Sequence, residues 1–71
     1  MWLIKKQLRW SMARNNPWRT LCHSKAGGFI FVAKGTKETP VRAKSVAQAT
    51  KFLKMYSKGD NGRFFYKIVA E

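Results

Sequence analysis

Acidic residues are almost missing from this sequence. Three Asp and Glu stand against 15 Lys and Arg in 71 residues, and no acid precedes Glu38. A net charge of +12 on so short a chain repels itself, and chains of this kind bind polyanions, most often the nucleic-acid backbone. The shortage of acids therefore predicts an anionic partner, which is DNA, RNA or an acidic protein surface.

Cysteine and histidine are equally scarce, because Cys22 and His23 are the single residues of their types. One cysteine cannot form an internal disulfide, and Cys and His cannot supply a set of four metal ligands. We expect no metal and no cofactor. A reducing, cytoplasmic compartment fits this composition, with association to the nucleoid if the partner is DNA. Cys22 is expected to be a small buried apolar residue rather than an activated thiol.

The residues that enzymes need are also lacking. A nucleophilic triad would have to combine His23 with one of only three acids, and no two acids lie close enough in sequence to form a catalytic or Mg²⁺-binding pair. Gly27-Gly28 lacks the Lys-Ser/Thr ending of a phosphate-binding loop and is expected in a hairpin. We expect no enzyme activity, and a chain this small has no room for a deep pocket for a small-molecule substrate.

Long hydrophobic runs are absent as well. Four apolar residues precede Lys5 and Lys6 at the N-terminus, which is fewer than a signal peptide or a membrane span requires. A membrane-surface peptide is favoured by one observation alone, the apolar residues beside these cations: Leu3, Ile4 and Leu8. We therefore expect no membrane partner.

What is present indicates one small folded domain. Apolar residues make up 45% of the chain and aromatic residues 14%, too much for a disordered basic tail. Ser45 and Gln48 form a capping-box pattern that predicts a helix over residues 45–58, ended by Lys58-Gly59. The predicted apolar face of this helix has the spacing of three and four residues expected for one side of a helix: Val46, Ala49, Phe52, Leu53 and Tyr56.

Strands are predicted around this helix. The run 29–33 is continuously aromatic and β-branched and is expected to be a central strand. The segments 18–23 and 41–44 alternate, so with 29–33 they predict a three-stranded antiparallel meander. The Asp60-Asn61-Gly62 turn is followed by a last strand over 63–69, in which Arg63, Phe65, Lys67 and Val69 share one side.

The N-terminal segment is harder to assign. Ile4, Leu8 and Met12 fit a helix, which we place at 3–13 and end before Pro17, although Trp2 and Ile4 also fit an edge strand. The predicted fold class is α+β, a small antiparallel sheet of three to four strands packed against the helix at 45–58. The predicted single domain combines an N-terminal helix or arm at 1–16 with the sheet and helix at 17–71.

This order of elements carries a resemblance. Strands at 18–23, 29–33 and 41–44 followed by a helix resemble the small three-stranded DNA-binding modules of phage integrase arm-binding domains and of plant transcription factors with the same element order. The ending from Val41 through Ile68 is similar to small phage inhibitors of host enzymes. These resemblances cover element order and imply DNA binding or docking on a host enzyme, without assigning a role to any residue.

Charge interleaved with aromatic residues marks the candidate site. Trp2, Trp10 and Trp18 recur every eight residues; packing in the core is the favoured role of each, and Trp10 is the one most expected to be exposed. We predict a non-enzymatic nucleic-acid-binding protein whose contacts are dominated by Lys and Arg to phosphate. The predicted contact residues are Arg9, Trp10, Arg14, Arg19, Lys25, Lys34, Lys37, Arg42, Lys51, Lys54 and Lys58.

A second function class stays open at this point. The alternative is a small basic interaction protein, of the kind that phages encode, that binds an acidic or nucleic-acid-binding surface of a larger host enzyme and inhibits or redirects it. Both partners are anionic, so charge alone does not separate the two hypotheses.

Overall fold

The fold consists of one antiparallel sheet and one helix. The computed structural model describes residues 1–10, 16–33 and 37–71. Its elements are β1 (Trp2–Leu8), β2 (Arg19–His23), β3 (Phe29–Ala33), α1 (Val46–Ser57) and β4 (Phe64–Ala70). The four strands form a single sheet in the order β3-β2-β1-β4. The predicted α+β class is confirmed.

Residues 2–8 form a strand, so the predicted helix over residues 3–13 is wrong there, and residues 11–13 of that prediction lie outside the described residues. β1 lies inside the sheet, where it pairs along its whole length with β4 and, at Lys5 and Lys6, with β2. Hydrogen bonding on both edges and the complete burial of Ile4 outweigh the helical spacing of Ile4 and Leu8. The alternative prediction of an edge strand at Trp2 and Ile4 was right about the strand and wrong about its position, because β1 lies inside the sheet.

A short connecting segment, residues 39–43, fills the gap where β1 and β2 diverge. The amide of Val41 donates to the carbonyl of Leu21 at 2.9 Å, and Trp2 and Ala43 exchange backbone hydrogen bonds of 2.9 and 2.8 Å. The predicted strand 41–44 is thus not formed: the segment makes two isolated bridges, Pro40 to Cys22 and Ala43 to Trp2, and it lies beside β1 and β2 rather than β3. The predicted three-stranded meander, and with it the resemblance to the phage and plant modules, does not describe this sheet.

β3 is an edge strand, which corrects its predicted central position. It pairs with β2 alone, and Phe29 and Ile30 are 44% and 40% exposed. The continuous apolar run of residues 29–33 therefore belongs to a strand whose side chains are only partly buried, and not to a strand that is buried on both faces. The turn joining β2 and β3 contains Gly27 and Gly28, both at positive φ, as expected for a hairpin glycine pair.

The helix begins as its capping pattern predicts. The Ser45 hydroxyl accepts from the Gln48 amide at 3.1 Å, while the Gln48 side chain accepts from the amide of Lys44 rather than from that of Ser45. These bonds satisfy two amides near the start of the helix. Within the predicted apolar face, Val46 departs from expectation, because it is 48% exposed.

The core lies between α1 and one face of the sheet. Its buried members come from β1, β2, the connecting segment and α1, and they are Ile4, Leu21, Val41, Ala43 and Ala49. Half-buried apolar side chains surround them: Trp2, Phe31, Phe52, Leu53, Tyr56 and Ile68. Two of the five central residues are alanines, so close approach of the backbones, rather than bulk, fills the space under the helix.

Candidate nucleic-acid interface

The strand register separates the side chains of the sheet into two faces. Ile4, Leu21 and Ile68 contact the core under α1, so residues of the same parity on their strands face the helix. The remaining strand residues form the opposite side, which we call the outer face. It comprises Leu3, Lys5, Gln7, Thr20, Cys22, Ile30, Val32, Phe65, Lys67 and Val69.

The outer face combines cations with an exposed aromatic ring. Phe65 is 43% exposed, Lys67 is exposed, and Lys5 lies directly across from Lys67 in the register. Arg9, just beyond β1, is held beside β4 by a hydrogen bond from its amide to the carbonyl of Arg63 at 2.8 Å. Four cations, Lys5, Arg9, Arg63 and Lys67, therefore lie on this face or at its end.

Two of these cations rest on aromatic rings. The Lys67 ammonium lies 4.1 Å from the centroid of the Trp18 ring, and the Arg9 guanidinium carbon lies 4.8 Å from that of Phe65. Trp18 directly precedes β2, and its contact with Lys67 spans the intervening strand β1. Such cation–π contacts hold each charge beside a flat apolar surface. The two ring–cation pairs are the main chemical feature of the outer face.

An ion pair neutralises part of the predicted surface at the far end of the sheet. The Arg42 Nε lies 2.7 and 2.9 Å from the two carboxylate oxygens of Glu71, and it is the single ion pair among the residues that the structure describes. The hydrogen bond from Arg42 holds the pKa of the Glu71 carboxyl below its usual value. Arg42 is therefore engaged within the chain, and it is a weaker candidate for phosphate than Lys5 or Lys67.

The predicted contact residues of the helix lie on the other side of the molecule. Lys51, Lys54 and Lys58 are exposed, while α1 packs its opposite side onto the core. These residues cannot contact the same stretch of nucleic acid as the outer face unless the polymer wraps around the domain. The predicted residues thus form at least two separate surfaces.

The remaining predicted residues are scattered. Trp10 is 81% exposed, as expected, and Lys25 and Lys37 are exposed in connecting segments. Arg19 is exposed but pairs with Lys6 in the register, which places it on the helix side of the sheet. Arg14 and Lys34 lie outside the described residues.

One cation of the helix side is used in packing. The Lys6 ammonium lies 4.3 Å from the ring centroid of Phe31 and 4.1 Å from that of Phe64. Its position between two rings on the core side shows that consecutive lysines, Lys5 and Lys6, serve different faces. A helix over residues 3–13 does not predict these opposite faces for Lys5 and Lys6, because side chains alternate between two faces only in a strand.

Asn16 and Cys22 have structural roles. The Asn16 side chain donates to the carbonyl of Leu8 at 2.9 Å, and Gln7 donates back to the Asn16 carbonyl at 2.7 Å, tying the entry to β2 onto the end of β1. Cys22 is 2% exposed, which confirms its prediction as a buried residue, and burial and the nearby Glu38 carboxylate raise its thiol pKa. Such a thiol is a poor nucleophile.

Sequence reasoning missed four members of the interface: Lys5, Arg63, Phe65 and Lys67. The alternation of residues 63–69 did place Phe65 and Lys67 together, but no partner strand was known to align them with Lys5. Trp18 was assigned to packing, and it is half-buried with a cation over its ring. A period-two interpretation of residues 2–8 would have recovered Lys5.

Comparison with protein-family models, with curated proteins and with solved structures gave no match. Within residues 1–10, 16–33 and 37–71, no three His, Cys, Asp or Glu side chains are grouped so that they could hold a metal ion. In the same ranges no helix is long and apolar enough to cross a membrane. The functional proposal therefore depends on the geometry of the outer face.

Proposed function

We propose that this protein is a small non-enzymatic nucleic-acid-binding protein that contacts its ligand through the outer face. The observation that supports this most directly is the grouping of Lys5, Lys67 and Arg9 around the rings of Phe65 and Trp18. Cations of this kind neutralise phosphates, while exposed rings accept bases or sugars. A reducing, cytoplasmic setting, suggested by the single cysteine, belongs to the same proposal.

Electrostatics supplies most of the affinity in this proposal. Lys5, Arg9, Arg63 and Lys67 offer four phosphate contacts, and each contact contributes about −0.7 to −0.9 to the slope of log affinity against log salt. The expected slope is about −2.8 to −3.6, which corresponds to a roughly 50- to 150-fold weakening between 50 and 200 mM salt.

A pair of matched double variants tests the location of this site. Lys5→Gln with Lys67→Gln removes two charges from the outer face, and Lys51→Gln with Lys54→Gln removes two from the exposed side of α1. Fluorescence anisotropy with labelled oligonucleotides over 50–200 mM salt measures the slope for each protein. We expect the outer-face variant to halve the slope to about −1.4 to −1.8 and the helix variant to keep that of the parent.

Equal losses in the two double variants would refute the assignment to the outer face, because both carry the same net charge. If the parent protein leaves DNA and RNA unbound at 50 mM salt, nucleic-acid binding itself is wrong. The docking of this basic surface on an acidic protein then becomes the working hypothesis.

A further inference from the structure

The outer face is a broad four-stranded sheet, wider than the helix or two-stranded ribbon with which proteins usually recognise bases in a DNA groove. Four strands about 4.8 Å apart span about 14 Å between the outermost backbones, before side chains are added. The major groove of a DNA duplex is about 12 Å wide and admits a helix or a two-stranded ribbon. A four-stranded face is therefore too broad to lie in the major groove in the way that a two-stranded ribbon does, which favours contact with the duplex along its phosphates.

The rings lie within this broad surface and not on a protruding loop. Phe65 belongs to β4 and is aligned with Gln7 of β1, while Trp18 directly precedes β2 on the other side of β1. Two strand spacings separate them by about 10 Å. Bases inside a duplex would stay out of reach of both rings, whereas unpaired bases can turn onto them.

The cations over the rings indicate how such bases would be accommodated. Lys67 and Arg9 have long, flexible side chains whose charged ends rest on Trp18 and Phe65 in the free protein. A cation at an exposed ring contributes less than a stacked base does. A base can displace each cation from its ring, and the released charge is then one side-chain length from the phosphate of the same nucleotide.

From this geometry we infer that the ligand class is single-stranded nucleic acid, with Phe65 and Trp18 as stacking platforms and Arg9 and Lys67 as their phosphate contacts. The inference rests on the proposed function and narrows it. Electrostatics alone predicts the opposite preference, because a duplex has the higher charge density and the steeper salt slope. A preference for single strands therefore requires the rings.

The chain provides a matched control for the ring contribution. Phe65 and Phe29 are 43% and 44% exposed, but Phe29 lies on the helix side, where its ring is 5.3 Å from that of Tyr56. Phe65→Leu and Phe29→Leu make the same change on opposite faces. Anisotropy at 100 mM salt compares a labelled 12-nucleotide oligothymidylate with a 12-base-pair duplex, and circular dichroism checks that both variants keep the parent fold.

We expect the parent protein to bind the single strand at least tenfold more tightly than the duplex. Phe65→Leu should weaken single-strand binding by roughly 5- to 150-fold, the range for one lost stacking contact, and duplex binding by less than twofold. Phe29→Leu should change either affinity by less than twofold. Tighter duplex binding, or equal losses in both variants, would overturn the inference and leave nucleic-acid binding in place. Absence of binding to both probes would overturn the proposed function as well.

Discussion

The position of β1 makes a strong prediction about the first residues of the chain. Ile4 is fully buried at the centre of the core, so Ile4→Ala removes about three apolar carbons and leaves a cavity. At about 0.8 kcal/mol per buried carbon, with the cavity added, the expected loss of unfolding free energy is about 3 kcal/mol. A domain of this size has a total of about 4 to 10 kcal/mol, so the loss lowers the thermal midpoint by about 12 to 24 °C.

Urea and thermal unfolding, followed by far-ultraviolet circular dichroism, measure this loss. Ile30→Ala is the matched control, because the same atoms are removed at a position that is 40% exposed on the edge strand. We expect that variant to lose about 1 kcal/mol or less. If Ile4→Ala is no more destabilising than Ile30→Ala, the N-terminal segment is not the inner strand of the sheet and the reasoning fails.

Two further predictions concern the helix cap and the buried thiol. Ser45→Ala removes the oxygen that accepts from the Gln48 amide and should cost about 1 kcal/mol in urea unfolding; an unchanged midpoint would show that the cap contributes nothing. Because burial raises the pKa of Cys22, iodoacetamide at pH 8 should alkylate the folded protein more slowly than the protein in urea, and equal rates would contradict the burial. The unfolded thiol loses its proton first, so this group lowers stability as the pH rises above about 8.5, and Cys22→Ala should remove that part of the pH dependence.

Local signals predicted the elements that depend on neighbouring residues. The Ser45 cap and the apolar spacing of the helix placed α1 within one residue at each end, and the β2–β3 hairpin followed from Gly27-Gly28. Residues 60–62 were likewise predicted as a turn, and Asn61 adopts a φ of 51° there. These features are set by hydrogen bonds and backbone preferences within a few residues.

The remaining features of the fold and of the candidate site depend on strand pairings between residues far apart in sequence. β1 is a strand because β4, more than fifty residues away, pairs with it along its length, and no local pattern reports that contact. The same pairing places Lys5 opposite Lys67 and makes the outer face. The candidate site was therefore only partly predictable: its charge was evident from composition, whereas its aromatic members needed the register.

The pairing of β1 with β4 also brings the two ends of the chain together. The amide of Glu71 donates to the carbonyl of Met1 at 2.8 Å, so residues at opposite extremes are hydrogen-bonded neighbours. During synthesis, β1 has to wait for residues 64–70 before one of its edges is paired. If a short linker joined residue 71 to residue 1 and new termini were opened in the β2–β3 turn, β1 would directly follow β4, and β2–β3 would become the pairing between strands far apart in sequence.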